Sequence, residues 1–556
     1  MKNEEFDYII VGAGSAGCVL ANRLTEDANV RVLLLEAGAG DMSIFIHMPS
    51  ALAYPMANEK YTWLYESEPE PFMNQRRIHC PRGRVIGGSS SINGMVYIRG
   101  HSQDYDGWAS RKGLESWTYA DCLPYFRKAE TRAKGGDLYR GDDGPLHVST
   151  GALRNPLYNA FIEAGKQAGY PYTVDMNGYQ QEGLGPMDMT VHKGRRWSTA
   201  MAYLRPALKR NNLKLQTRSL VTHILFEGSD DAQRAVGVEV SHGGQLQQLR
   251  ATREVILSGG AINSPQLLKL SGIGNPDELR PLGIAVTAPL KGVGENLQDH
   301  LETYVQYACK EPITLYSALN PFVKAKIGAQ WLLFGTGLGA TNHFESGGFI
   351  RSEAGVKNPD LQYHFLPMAV RYDGKEPATG HGFQAHVGPM RPTSRGDVKL
   401  RNAKPTTPPF IRFNYMSTEQ DRKEMRAGIR LTREIFAQTA FDRFRGEELS
   451  PGLGVQTDVQ IDEHIRANAE TAYHPSCTCR MGTDDMAVTD HEGRVHGVQS
   501  LRVVDASIMP DVVSGNLNAP TIMMAEKLAD AIRGRAPLPR SGAPSYIHPN
   551  YLTQQR

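Results

Sequence analysis

Cysteine is scarce and unpatterned in this chain. The six cysteines in 556 residues, Cys18, Cys80, Cys122, Cys309, Cys477 and Cys479, include no C-x-x-C pair. That excludes a disulfide-stapled secreted scaffold and a dithiol redox motif, and it fits a reducing cytoplasmic compartment. Long hydrophobic runs are missing too. The longest apolar stretch, around Trp331-Leu332-Leu333-Phe334, falls far short of the ~20 residues a spanning helix needs. This leaves open peripheral contact with the cytoplasmic face of an inner membrane. Charge of one sign is not in excess: the formal net charge is +2 and the basic residues are scattered, so nucleic acid is excluded as a partner. The start, Met1-Lys2-Asn3-Glu4-Glu5-Phe6, leads directly into an expected strand with no room for a signal peptide. Internal repeats and low-complexity linkers are also absent. What is present is ordinary globular material, 40% hydrophobic and 22% charged. Its length exceeds one hydrophobic core, so at least two packed units are expected, one of them discontinuous.

Phe6 to Val11 is an apolar run that stops at Gly12, as a buried parallel strand should. The loop Gly12-Ala13-Gly14-Ser15-Ala16-Gly17 follows, then a helix with Val19, Leu20 and Leu24 on one face. Gly12 serves the tight turn, Gly14 the approach of a pyrophosphate, and Gly17 the packing of helix on strand; Ser15 and Ala16 open the helix whose positive end faces the phosphate. A second strand, Val30 to Leu35, ends in Glu36, placed to hold ribose hydroxyls. Strand, loop, helix, strand and acid in order specify a dinucleotide site, without separating FAD from NAD.

Two further segments bear on that choice. Gly83-Arg84-Val85-Ile86-Gly87-Gly88-Ser89-Ser90-Ser91-Ile92-Asn93-Gly94 and Gly260-Ala261-Ile262-Asn263-Ser264-Pro265-Gln266-Leu267-Leu268-Lys269-Leu270-Ser271-Gly272-Ile273-Gly274 resemble the two signatures of the glucose-methanol-choline (GMC) oxidoreductases. Physically, the first is a run of small residues whose amides can approach a flavin and its diphosphate. The resemblance implies FAD, with Arg84, Gly87, Gly88, Ser89, Asn93, Gly94, Val221, Asp505 and Pro520 on its side of the site. Family members with covalent flavin have a histidine where this chain has Ile92, so non-covalent FAD is expected. The implied fold is α/β, α+β overall. It comprises a Rossmann-like FAD-binding domain with a central parallel sheet (residues 1–149, 216–301 and 491–535) and a discontinuous substrate-binding domain with a mostly antiparallel sheet (150–215 and 302–490). A tail follows at 536–556.

Oxidising an alcohol requires a group that takes the hydroxyl proton while hydride leaves carbon. A histidine taken alone is more often structural, but His474, in Tyr473-His474-Pro475 before Cys477-Thr478-Cys479, resembles the catalytic histidine segment of the family. Two thiols cannot complete a zinc site, so no metal is assigned. Asn518, in Asn516-Leu517-Asn518-Ala519-Pro520, stands where Asn and Pro favour a helix start. The resemblance implies that it is also the partner of His474 at the substrate hydroxyl.

Segments beyond the signatures, among them Tyr65 to Phe72, Asn177 to Gly183, Gln298 to Glu302 and Asn342 to Glu345, resemble the choline-oxidising branch of the family. A quaternary ammonium donates no hydrogen bond and is recognised by negative charge and aromatic faces. By resemblance Glu302 supplies the charge and His364 a second active-site histidine; Tyr473 supplies one aromatic wall, and Phe322 stands in for a family tryptophan. The alternative for Glu302 is a salt-bridged loop acid. The implied substrates are choline and its aldehyde, which becomes an alcohol again when hydrated and is carried on to glycine betaine, an osmoprotectant. Gly94 and Ala472 replace the Ser and Val of the oxidases, which leans toward a quinone or similar acceptor. Rival readings are a GMC dehydrogenase of another aliphatic or polyether alcohol and a non-catalytic flavin-binding protein. Assembly into a homo-oligomer is not legible.

Overall fold

The computed structural model describes residues 5–229, 233–370 and 380–556. Two large sheets organise them. In the first, the order is Leu213–Gln216, Val32–Leu35, Glu5–Val11, Gln245–Leu257, Gln233–His242, Ser219–Glu227, with Leu501–Val503 parallel to Gln245–Leu257. Its centre is parallel and its far edge antiparallel. The central strands bury apolar residues that share one core with the helices Ser15–Leu24 and Asn518–Ile532. Gly12 takes φ 105°, and a Cβ on Gly17 would lie 1.9 Å from the Gly12 carbonyl oxygen. The turn and the helix-on-strand contact therefore require glycine at these two positions.

The second sheet is antiparallel, ordered Arg445–Ser450, Leu301–Cys309, Gly382–Pro389, Leu361–Leu366, Ser346–Ile350, Gly183–Pro186. Its three middle strands alternate. Leu301, Val305, Tyr307, Phe383, Ala385, Val387, Leu361, Tyr363 and Phe365 share a core with helices Pro156–Gln167 and Glu419–Phe436. The intervening Glu302, Tyr304, Gln306, Gln384, His386, Gln362 and His364 form the opposite face, which is polar yet also buried. Period-two alternation ordinarily sends polar residues to water. Here they line an interior space.

Each of the two large sheets has a core of its own. Leu213–Gln216 pairs with Val32–Leu35, and Tyr203, Leu204 and Ala207 join the core of the nucleotide sheet, so this stretch, expected largely in the substrate-binding domain, packs with the nucleotide sheet. The tail is docked rather than loose. Ser541 N–H donates to Ala120 O at 2.8 Å, and the Arg351 guanidinium donates to Gln554 O at 2.6 Å.

Candidate active site

One elongated cavity of about 350 Å³ runs between the two sheets. At one end lie Glu36 and Val221; Gly12, Gly14, Ser15, Ala16, Gly88 and Ser89 line the middle; Asn93, Gly94, Tyr473, His474, Glu302 and His364 line the other end, with Asp505 beside it. Three helices, Ser15–Leu24, Gly260–Leu270 and Asn518–Ile532, begin at this wall without a side-chain cap. The N–H groups of their first turns, that of Gly260 excepted because Asp505 takes it, and their positive ends suit a diphosphate. A Cβ on Gly14 would meet no protein atom nearer than 3.8 Å, so the demand for glycine there comes from the cavity side. Each Glu36 oxygen accepts one backbone N–H, from Ala13 at 3.0 Å and Gly38 at 2.8 Å, while burial pushes the carboxyl up to about 7. Asp505 accepts from Gly260 N–H (2.8 Å), Ser264 hydroxyl (2.6 Å) and Ser507 N–H (2.8 Å), and so fixes the start of the second helix.

Four residues expected at the cofactor stand behind this wall instead of lining it. Gly17 packs helix on strand, and Gly87 takes a left-handed φ of 85° that turns the chain into Gly88–Ser91. The Arg84 guanidinium lies 4.7 Å from the Trp63 ring centre. Pro520 is buried inside the first turn of the last helix.

At the chemical end, His474 is buried and held from three sides. Its backbone N–H donates to Asp299 Oδ1 at 2.6 Å, its Nδ1 lies 2.9 Å from His300 Nδ1, and its Nε2 lies 3.1 Å from Asn516 Nδ2. The protons follow from the end of the chain. His300 Nε2 is 3.0 Å from the Met390 carbonyl, which only accepts, so that nitrogen carries the proton. Burial holds His300 down at about 4, hence neutral, and its Nδ1 is bare. His474 must then carry its proton on Nδ1 and present a bare Nε2 to the cavity. Burial, reinforced by His300, His364 and Arg82, keeps His474 well below its ordinary value, so Nε2 is unprotonated at neutral pH and accepts from Asn516 Nδ2–H. Tyr473, at φ 67°, makes the turn that delivers the histidine; its carbonyl accepts from Arg82 at 3.0 Å.

The expected partner of His474 is corrected by two residues. Asn518 is the first residue of the last helix, and its Oδ1 accepts from Ser15 Oγ at 2.8 Å, tying two helix starts together. Asn516, still in the preceding loop, is the amide that reaches His474. Its orientation is set because Oδ1 accepts from Gln362 Nε2 at 3.2 Å.

Glu302 Oε1 accepts from His386 Nδ1 at 3.0 Å. Gln384 Oε1 takes the Gln306 amide (2.7 Å) and the Val370 N–H (2.8 Å), which turns its amide nitrogen toward His386 Nε2 at 2.7 Å. That ring nitrogen therefore accepts, and His386 needs only its Nδ1 proton. Burial alone would raise the Glu302 carboxyl, but the His386, His364 and Tyr304 side chains reverse this and hold it below its ordinary value. His364 lies across from His386 in the sheet, and burial depresses it to about 4.

Phe322 is corrected outright: it is 87% exposed and outside the cavity. Asn320 caps the helix Pro321–Phe334 at Phe322, and the helix buries only Trp331, leaving Phe322 pointing outward. Phe344 lines the cavity instead, together with Trp63, Tyr65 and Tyr473, its ring centre 5.6 Å from that of His386 and 6.0 Å from that of His364. Asn516, His300, Asp299, His386, Gln362 and Phe344 were not picked out from sequence. The signal for Gln362 and His386 was there, as polar residues alternating with core residues in strands.

Profiles of the GMC oxidoreductase family match residues 6–302 and 392–525. The chain belongs to this family. An oxygen-dependent choline dehydrogenase of Chromohalobacter salexigens is 59% identical over 547 residues, 98% of this chain and 97% of that one. Another from Paraburkholderia phymatum is 60% identical over 551 residues, 98% and 96%. Among solved structures, pyridoxine 4-oxidase from Mesorbium loti superimposes with TM-score 0.86 at 32% identity, covering 96% of this chain and 100% of that one. A formate oxidase of Aspergillus oryzae RIB40, solved in work on FAD modification, gives TM-score 0.90 at 27% identity, covering 96% and 99%. This GMC oxidoreductase is FAD-dependent, and the three helix starts at the cavity wall and the Gly14 cradle fit that cofactor. No described helix is long and apolar enough to cross a membrane.

Proposed function

We propose that this oxidoreductase converts choline to betaine aldehyde and carries the hydrated aldehyde on to glycine betaine. The observation that carries the reading is Glu302: a carboxylate held below its ordinary value on the polar face of the second sheet, whose Oε1 accepts a hydrogen bond from a histidine rather than pairing with a Lys or Arg. A buried charge is costly unless something compensates it, and a quaternary ammonium does so without needing a hydrogen bond. The names of the relatives just described point the same way.

His474 Nε2 takes the hydroxyl proton as hydride leaves the adjacent carbon. Asn516 Nδ2–H, beside that nitrogen, donates to the oxygen that becomes negative. Bound FAD supplies the hydride acceptor. Asp299 and His300 hold the base in place and in its tautomer, and Phe344 and Tyr473 supply aromatic faces. The hydrated aldehyde again offers a C–H and an O–H, so the same groups serve a second turnover.

FAD is held without a covalent link, since Ile92 offers no nucleophile. The six cysteines are unpaired, in keeping with a cytoplasmic setting. Gly94 and Ala472 line the cavity and support a quinone as electron acceptor, whereas the relatives' name ties them to oxygen. Anaerobic turnover with a soluble quinone against oxygen uptake in air decides between the two. The substrate is tested by mixing the oxidised holoenzyme with choline without oxygen: the flavin absorbance should bleach. Bleaching by uncharged aliphatic or polyether alcohols but not by choline would replace this reading with the rival dehydrogenase. No bleaching by any alcohol would leave a flavin-binding protein without turnover.

A further inference from the structure

The helix Pro321–Phe334 does not behave as a surface helix of a water-soluble protein. Of its fourteen residues only Trp331 is buried, yet the exposed positions include Phe322 at 87%, Leu332 at 56%, Leu333 at 74% and Phe334 at 72%, with Leu338 at 44% just beyond. A surface helix normally turns polar residues outward. The apolar area continues past this helix. Met48 packs against Trp331 and Gly339, and the short helix leading to it exposes Ile44 and Phe45, the latter stacked on Tyr54 at 5.0 Å. Contiguous exposed apolar surface of this kind marks an interaction site.

The charge around it has one sign. Trp331 Nε1 donates to Gly194 O at 2.6 Å, and the Arg195 guanidinium lies 5.1 Å from the Trp331 ring centre, so the hairpin carrying Lys193 and Arg195 abuts the helix. Lys193, Arg195, Lys324 and Lys326 are all exposed. No Asp or Glu occurs between Glu311 and Glu345, between Asp41 and Glu59, or between Asp188 and Glu227, the three segments that meet here. Exposed Phe and Leu bordered by Lys and Arg, on a helix too short to span, offer a membrane interface an apolar and a cationic contact together.

We propose that this face docks on an anionic lipid bilayer, with Phe322, Leu332, Leu333 and Phe334 among the acyl chains and Lys193, Arg195, Lys324 and Lys326 against phosphate headgroups. Leu52 and Met56, which flank the exposed Tyr54, line the catalytic cavity, so docking sets the site beside the bilayer.

The test is co-sedimentation of the FAD-loaded enzyme with phosphatidylglycerol-containing vesicles and with pure phosphatidylcholine vesicles. The expected result is binding to the anionic vesicles, weakened by salt. The Lys324→Glu and Lys326→Glu pair should lose more than about 25-fold, from about fivefold per neutralised lysine. The Leu333→Glu and Phe334→Glu pair should lose about tenfold or more, with the flavin spectrum and dye-linked turnover in solution unchanged. Absence of binding, equal binding to both vesicles, or variants that bind like the parent overturns the proposal. So does light scattering that shows a lipid-free dimer which the Leu333→Glu and Phe334→Glu pair dissociates, with no vesicle binding by the parent. In that case the face belongs to a second copy of the chain.

Discussion

Glu302→Gln separates charge from shape at the proposed substrate site. The glutamine carbonyl still accepts the His386 Nδ1 proton that Glu302 Oε1 accepts at 3.0 Å, and its volume is nearly unchanged, so the polar face should keep its arrangement. What is lost is one negative charge. A trimethylammonium packed against the carboxylate would sit about 4–5 Å away, and at an effective dielectric near 20 the attraction is about 4 kcal/mol. That corresponds to two to three orders of magnitude in kcat/KM. The assay is anaerobic dye reduction with choline and with 3,3-dimethylbutan-1-ol, in which carbon replaces the ammonium nitrogen. Choline should lose about 100- to 1000-fold and the neutral isostere less than about threefold, because only the former interacts through charge. Equal losses for the two alcohols would refute the reasoning and make Glu302 a structural acid.

Asn516→Ala should lower kcat/KM by about 100-fold or more, as removal of a donor to a developing oxyanion does. Asn518→Ala, which breaks the bond to Ser15, should weaken FAD retention about fivefold while the loaded enzyme turns over near normally; the reverse pattern in steady-state kinetics and flavin titration would restore Asn518 as the partner of His474. Acid or heat precipitation should release all the flavin into the supernatant, and yellow colour on the pellet would show a covalent link despite Ile92. The pH dependence of stability carries a sign. His364 is held at about 4 by burial, so its unfolded form binds a proton near pH 6.5 that the native form refuses. Its contribution is complete above pH 6.5 and is lost as pH falls toward 4, by about 1.4 kcal/mol per unit. Buried carboxyls such as Glu70 and Glu424, pushed up to about 7 and 8, act in the opposite sense. The measurement is therefore the difference between His364→Gln and the parent in urea melts, which should shrink as pH drops from 6.5 to 5; a difference constant with pH would contradict it.

The nucleotide half of the fold is legible because its demands are local. Gly12 must turn, Gly17 must let a helix touch a strand, and an acid must end the second strand; all three lie within one supersecondary unit. The substrate half is less so because its site is assembled across strands far apart in sequence. Glu302 meets His386, 84 residues away, and His474 meets His300, 174 residues away. Alternation of core and polar residues along Gly382 to Val387 could have nominated His386 together with Gln384. It could not say that both faces are buried. The choice between Asn516 and Asn518 turns on where a helix begins. Helix starts are uncertain by a residue or two, and here that error exchanges an amide facing the base for one facing Ser15. Phe322 failed for a related reason: an aromatic beside a helix cap has no side assigned until the helix finds what it packs on.

The two ends of the chemical cavity differ in charge, and that difference orients a cationic alcohol. His300 and His364, held at about 4, and His474, held well below its ordinary value by burial and its neighbours, are neutral. The cavity's fixed charges near them are thus Glu302 on one side and Arg82 on the other; the latter is a cavity-lining residue bound to the Tyr473 carbonyl and one of the groups that depress His474. A choline ammonium drawn to Glu302 leaves its hydroxyl toward His474 Nε2 and Asn516. The positive potential on that side favours the alkoxide that proton removal creates. The same field disfavours the reversed pose, in which the ammonium would approach Arg82 and the developing oxygen charge would face a carboxylate. Neutralising Glu302 should therefore loosen the orientation of the substrate as well as its binding, so that kcat for choline falls along with kcat/KM. An intact kcat with a raised KM would mean that Glu302 only attracts the substrate and that the orientation is set elsewhere.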